Sequence, residues 1–149
     1  MREITNMLIQ GELKGEETNM VEVHGWITLR ETYKVVDDDN IEALLKLINN
    51  EIGKIAYPQI QVNVNNGNYY IEFSVYTNHM SGAVSDLIAF FETVGKIAEG
   101  SYGLLYLHND EDQEKYNNFV VHRLARGTVE VYQDTLLSPT IPTVEDEWI

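Results

Sequence analysis

The stretch from Gln59 to Tyr76 constrains the fold more than any other part of the chain. Ile60, Val62 and Val64 alternate with Gln59, Gln61 and Asn63, and Tyr69, Ile71, Phe73 and Val75 alternate with Tyr70, Glu72, Ser74 and Tyr76. Between the two runs stands Asn66-Gly67, the pair that best tolerates the two positive φ angles of a type I′ turn. A two-residue loop there fixes the register. Val64 falls opposite Tyr69, Val62 opposite Ile71 and Ile60 opposite Phe73, so apolar meets apolar on one face while Gln61 meets Glu72 on the other.

Other elements follow from periodicity. From Met20 to Arg30, Val21, Val23, Ile27 and Leu29 share one parity and Glu22, His24, Trp26, Thr28 and Arg30 the other, the pattern of a strand with one buried face. Ile41, Leu44, Leu45, Ile48, Ile52 and Ile55 recur at helical spacing, with Asp38, Asp39 or Asn40 as candidate caps. A second helical stripe runs through Val84, Leu87, Ile88, Phe91, Val94 and Ala98, with Ser81 or Ser85 able to cap it and Gly100 to stop it. Three more strands are expected: one around Leu104 to His108, one from Phe119 to Ala125 and one from Thr128 to Tyr132, the last two joined at Arg126-Gly127. A two-residue turn there sets Arg123 against Glu130, an exposed ion pair that contributes at most about 1 kcal/mol.

The order is β-α-β-β-α-β followed by one or two antiparallel strands. The expected fold is α+β: a single antiparallel sheet of five or six strands with two helices on one face, in a split βαβ, ferredoxin-like order, forming a two-layer sandwich. The predicted strand order is 2-3-1-4-5. With no internal repeat, low-complexity tract or mid-chain linker, the 149 residues read as one domain.

Composition narrows the function. Asp and Glu number 24 against 10 Lys and Arg, giving a net charge of −14, so a protein that tracks nucleic-acid phosphates or an anionic membrane is disfavoured and a basic protein partner is favoured. The chain holds no cysteine, which removes disulfides, zinc fingers and thiol nucleophiles. Met1 to Asn6 lacks the basic start and apolar run of a signal peptide, and no apolar segment approaches the roughly 20 residues that span a bilayer. A soluble, cytoplasmic protein is the expectation.

Catalytic signatures are scarce. His24, His79, His108 and His122 lack metal-ligand spacing, and Asp110-Glu111-Asp112 lacks the rest of a calcium loop, so neither metal nor cofactor is expected. There is no nucleophile elbow, phosphate-binding glycine loop or dinucleotide fingerprint. Convergence of His24, His108 and Glu72 as an acid/base group is the one enzymatic arrangement that adjacent strands would permit.

If the helices cover the apolar parity, the opposite face presents His24, Trp26, Thr28, Tyr70, Glu72, Tyr76, Tyr106 and His108. Aromatics on an open face call for an explanation. Either they form a recognition surface, or they are covered by residues 1–19 or by the Pro-containing stretch Leu136 to Pro142.

Several short motifs resemble one family: His24-Gly25-Trp26-Ile27 just after Met20, Asn109-Asp110-Glu111-Asp112 after a Gly-Leu-Leu-Tyr strand, Leu124-Ala125-Arg126-Gly127, and Leu137-Ser138-Pro139-Thr140-Ile141-Pro142-Thr143-Val144-Glu145-Asp146. In this order they are similar to the immunity protein family 7 of bacterial polymorphic toxin and contact-dependent inhibition systems. The resemblance spans about Met20 to Asp146. It implies a cytoplasmic antitoxin that binds and blocks a cognate toxin domain without performing chemistry. Residues 1–19 then form an N-terminal extension, 20–135 the α+β domain, and 136–149 an extended tail packing on it. Lys14-Gly15-Glu16 shortly before Met20 resembles a translated ribosome-binding site, so Met20 is a candidate native start. Residues 1–19 hold two basic and four acidic groups, so the chain from Met20 still carries −12.

Acidic loops and nearby aromatics are the expected contacts: Trp26, Asp37, Asp38, Asp39, Tyr70, Glu72, Tyr106, Asp110 and Asp112. A basic enzyme, such as a nuclease, would be captured fastest by such a surface. The alternative reading is a small-molecule-binding regulatory domain, with a ligand pocket between sheet and helices.

Overall fold

The computed structural model describes residues 20–55 and 59–147; the expected extension 1–19 and the last two residues of the tail lie outside them. In chain order the elements are β1 (Val21–Thr28), α1 (Ile41–Ile52), β2 (Gln59–Asn65), β3 (Asn68–Thr77), α2 (Gly82–Ile97), β4 (Tyr102–Asn109), β5 (Val120–Ala125), β6 (Thr128–Gln133) and a four-residue turn of helix, α3 (Thr140–Thr143). The strands form one sheet in the order β2-β3-β1-β4-β5-β6. Every neighbouring pair is antiparallel. The result is α+β, with the predicted order 2-3-1-4-5 extended by β6 at the edge.

Both turns have two residues, and Arg126 takes a positive φ without being the Asn or Gly that favours it. Asn66 and Gly67 adopt φ of 54° and 78°, and Arg126 and Gly127 adopt 53° and 74°. The first sets Val64, Val62 and Ile60 opposite Tyr69, Ile71 and Phe73. The second sets Arg123 opposite Glu130, with Nη1 and Oε1 3.0 Å apart.

One parity of the sheet makes the core. Val21, Val23, Ile27, Ile71, Phe73, Val75, Leu105 and Leu124 join Ile48 of α1 and Val84, Leu87, Phe91 and Val94 of α2 in a single buried cluster. Each such side chain contributes roughly 1.5–3 kcal/mol through apolar burial. Phe73 and Phe91 meet edge to face at 6.1 Å. Gly25 serves this packing by its missing side chain, because a Cβ there would fall on the Phe73 ring. In α2, Phe90 and Gly95 are buried beyond the predicted stripe, and Gly95 lies against Leu124 and the backbone of Gly127.

Helix ends depart from expectation. Asn40 is the N-cap of α1, but makes no side-chain cap. Its Nδ2 and backbone N–H instead donate to Glu31 at 3.2 and 3.0 Å, and Asp38 faces Arg30 Nε at 3.5 Å. The loop's polar groups are thus tied back to the end of β1 before the helix begins. Ser81 likewise precedes α2 without a side-chain cap bond. Gly100 lies beyond the helix end at Ala98 and packs on the backbone of Thr32, where a Cβ would not fit.

The tail is knotted to the segment before β5 by hydrogen bonds. Thr140 N and Ile141 N donate to Asn117 O and Oδ1, both at 2.8 Å, and Phe119 N donates to Ser138 Oγ at 2.8 Å. Buried Asp134 accepts from Leu136 N at 3.0 Å, Leu137 N at 2.8 Å and Ser138 Oγ at 2.9 Å. Leu136 and Leu137 remain exposed, and within the short α3 segment Ile141 keeps extended angles (φ −110°, ψ 116°), as does Pro139 before it (φ −69°, ψ 144°). Hydrogen bonding anchors the tail more than apolar burial does.

Candidate functional site

The polar parity of the four strands β2, β3, β1 and β4 forms a continuous face. Trp26 stands opposite Glu72 on β3 and Leu104 on β4, His24 opposite Ser74 and Tyr106, and Thr28 opposite Tyr70 and Tyr102. Gln61 lies beyond Glu72 on β2. A depression of about 530 Å³ opens here, lined mainly by His24, Trp26, Gln61, Glu72, Ser74 and Tyr106. Trp26 remains 39% exposed, with its ring edge-to-face on Tyr102 at 6.1 Å. Tyr76 is 60% exposed; residues 1–19, the other cover considered for this face, lie outside the described residues.

The expected acid/base group is arranged differently. Glu22, which the sequence reading passed over, gathers both histidines: its Oε2 lies 2.6 Å from His24 Nε2 and its Oε1 4.0 Å from His108 Nδ1. Glu72 instead accepts from Asn63 Nδ2 at 3.3 Å. The reason is register, since Glu22 pairs directly with His108 across β1 and β4, whereas Glu72 is level with Trp26. The His108 ring holds the Glu22 carboxyl below its ordinary range, against burial and with help from His24. Reciprocally, Glu22 raises the His108 imidazole, against burial and with help from the Tyr116 carbonyl, which accepts from Nε2 at 2.7 Å. With Nε2–H held there, the added proton sits on Nδ1 facing Glu22. His122 lies on the core parity, where burial lowers its pKa. Among the described residues no group of three His, Asp or Glu is placed to hold a metal ion.

The predicted contact residues divide into three places. Trp26, Tyr70, Glu72 and Tyr106 share the open face. Asp37, Asp38 and Asp39 follow the Thr28 end of β1, while Asp110 and Asp112 follow β4, whose end Asn109 pairs with Val21. Eight strand residues span about 25 Å, so the two acidic loops flank the face at opposite ends. Some of these carboxylates already hold backbone N–H groups. Asp110 Oδ1 accepts from Met20 N at 2.8 Å, and Asp112 Oδ1 accepts from Glu114 N and Lys115 N at 2.9 and 3.1 Å. Tyr102, which precedes the strand expected from Leu104, belongs to the aromatic face. Alternation carried back across Gly103 would have found it.

A family model described as immunity protein 7 matches residues 20–146, most of the chain. The chain belongs to the immunity protein 7 family. Its matched span contains every element from β1 to α3. Membership makes this immunity protein 7 relative an immunity protein against polymorphic toxins. Curated proteins give no match to it. Among solved structures it is similar to a de novo designed protein, Foldit4, at 12% identity, covering 60% of this chain and 97% of that one with a TM-score of 0.42. Among the described residues of this family member, no helix is long and apolar enough to cross a membrane.

Proposed function

We propose that this protein protects its host by binding a cognate toxin domain in the cytoplasm and blocking it, without chemistry of its own. Family membership over residues 20–146 carries the reading. Physical support comes from a net charge of −14 and from an open sheet face that combines exposed aromatics with carboxylates. Both helices lie, in this reading, on the other side of a split βαβ sheet, leaving the aromatic parity for the partner.

The partner is a basic protein domain, with a nuclease as the leading chemistry; nucleic acid and membrane are not partners of this acidic surface. Trp26, Tyr70, Glu72 and Tyr106 supply the central contacts. Asp37, Asp38, Asp39, Asp110 and Asp112 supply negative potential at the two ends, which accelerates encounter more than it tightens the final complex.

The test is expression of this chain in cells that carry the toxin domain encoded beside it. Growth is restored, and titration calorimetry of the purified pair gives a saturable complex. Persistent killing together with no heat of binding overturns the proposal.

A further inference from the structure

We infer that the depression between Trp26 and Glu72 receives an arginine side chain of the toxin domain, an inference that rests on the toxin-binding reading above. The polar parity of β2, β3, β1 and β4 carries two carboxylates, Glu22 and Glu72, and neither lysine nor arginine. Glu22 is occupied by His24 and His108. Glu72 is not comparably engaged: Oε1 accepts from the exposed Asn63 amide at 3.3 Å, and Oε2 has no hydrogen bond among the described residues. Glu72 is therefore the carboxylate on this face that is available to a partner's cation.

Trp26 stands directly across the ladder from it. Cross-strand neighbours place their Cβ atoms about 5 Å apart, so one side chain can touch both. The indole is steadied on one side by Tyr102 and is 39% exposed. A cavity of about 530 Å³ between these groups admits a guanidinium with its propyl stem. A planar guanidinium stacks on an indole while donating to a carboxylate, whereas a compact ammonium cannot use both geometries as well. An apolar side chain in the same place would strip water from Glu72 without replacing its hydrogen bonds. An acidic one would be repelled by Glu22 and Glu72 together.

The experiment compares the wild-type protein with Glu72→Gln, Trp26→Leu, the double variant and the control Glu130→Gln in binding the neighbouring toxin domain, by calorimetry and surface kinetics. Thermal melts verify that each variant is folded. Each single variant is expected to weaken binding at least about 10-fold, chiefly through faster dissociation, and the double variant by less than the product of the two. The control retains wild-type affinity. Arginine-to-lysine replacements across the toxin surface should find one position that reproduces the loss and is insensitive to Glu72→Gln. Wild-type affinity in both single variants overturns the inference and leaves toxin binding intact. Failure of the wild-type protein itself to bind overturns both. A toxin in which every arginine-to-lysine replacement binds normally overturns the choice of arginine.

Discussion

Oε1 of Glu22 lies 4.0 Å from Nδ1 of His108, across a rung of the β1–β4 ladder where the two residues are direct partners. His24 approaches the other carboxylate oxygen, and Asp110 adds negative charge near His108. The pair ties β1, β4 and, through Tyr116, the following loop into one titrating unit.

That unit predicts a pH window. His108, with its pKa raised, contributes stability that is full below the unfolded imidazole value and is lost as pH rises through the folded value. Glu22, with its pKa lowered, contributes stability that is present above the unfolded carboxyl value and is lost as pH falls through the folded one. The two contributions coexist between these limits. Because both groups keep some solvent contact, the effect is about 1 kcal/mol or less. His108→Gln should flatten the alkaline limb of the thermal-midpoint profile, by roughly 2–4 °C at its largest. An unaltered profile would remove the pair from the account.

Asp134 anchors the tail. Burial alone would raise its pKa, but the Leu136 and Leu137 N–H groups and the Ser138 hydroxyl hold it below the ordinary value. Its contribution therefore falls away as pH drops through that lowered value. Asp134→Asn replaces one accepting oxygen by a donor and should cost about 1–3 kcal/mol. Amide exchange at Leu136 and Leu137 should quicken more than at Ile71; equal protection in the variant would refute the anchor.

Gly25→Val forces a branched side chain onto the Phe73 ring. Overpacking of this kind costs typically about 1–3 kcal/mol. The denaturation midpoint should fall accordingly, and Gly25→Val combined with Phe73→Leu should recover part of the loss. An unchanged midpoint in the single variant would show that the ring moves aside freely.

The exposed carboxylates Asp37 and Asp39 make a cleaner test of steering than Asp110, which accepts from Met20 N ahead of β1, and Asp112, which accepts from backbone N–H groups of its own loop. Reversing both to lysine should slow toxin association several-fold at low salt and weaken its salt dependence, with little change in dissociation. An association rate equal to wild type across salt concentrations would exclude this loop from encounter.

The sheet was readable because two of its hairpins are specified by turn chemistry and alternation together, and each signal fixes the same register. Asn66-Gly67 is the full case, whereas at Arg126-Gly127 only the glycine suits a positive φ and the register rests more on alternation. Helix ends were harder. Asp38, Asp39 and Asn40 all suit a cap, and the choice was made by Arg30 and Glu31, residues that become neighbours only when β1 is complete. The same limit applies to the site: parity assembled Trp26, Tyr70, Glu72 and Tyr106 on one face, but the match of Glu22 to His108 depends on the β1–β4 register, for which no short turn exists. Distance along the chain likewise concealed that Asp37 and Asp110 stand at opposite ends.

The two-residue period of β1 assigns its side chains to separate tasks. Val21, Val23 and Ile27 hold the body together, and Glu22, His24 and Trp26, interleaved with them, face outward. Under the toxin-binding role proposed above, Trp26 can therefore be exchanged to suit another partner while Val21, Val23 and Ile27 stay as they are, whereas Glu22 is held to its place by His108.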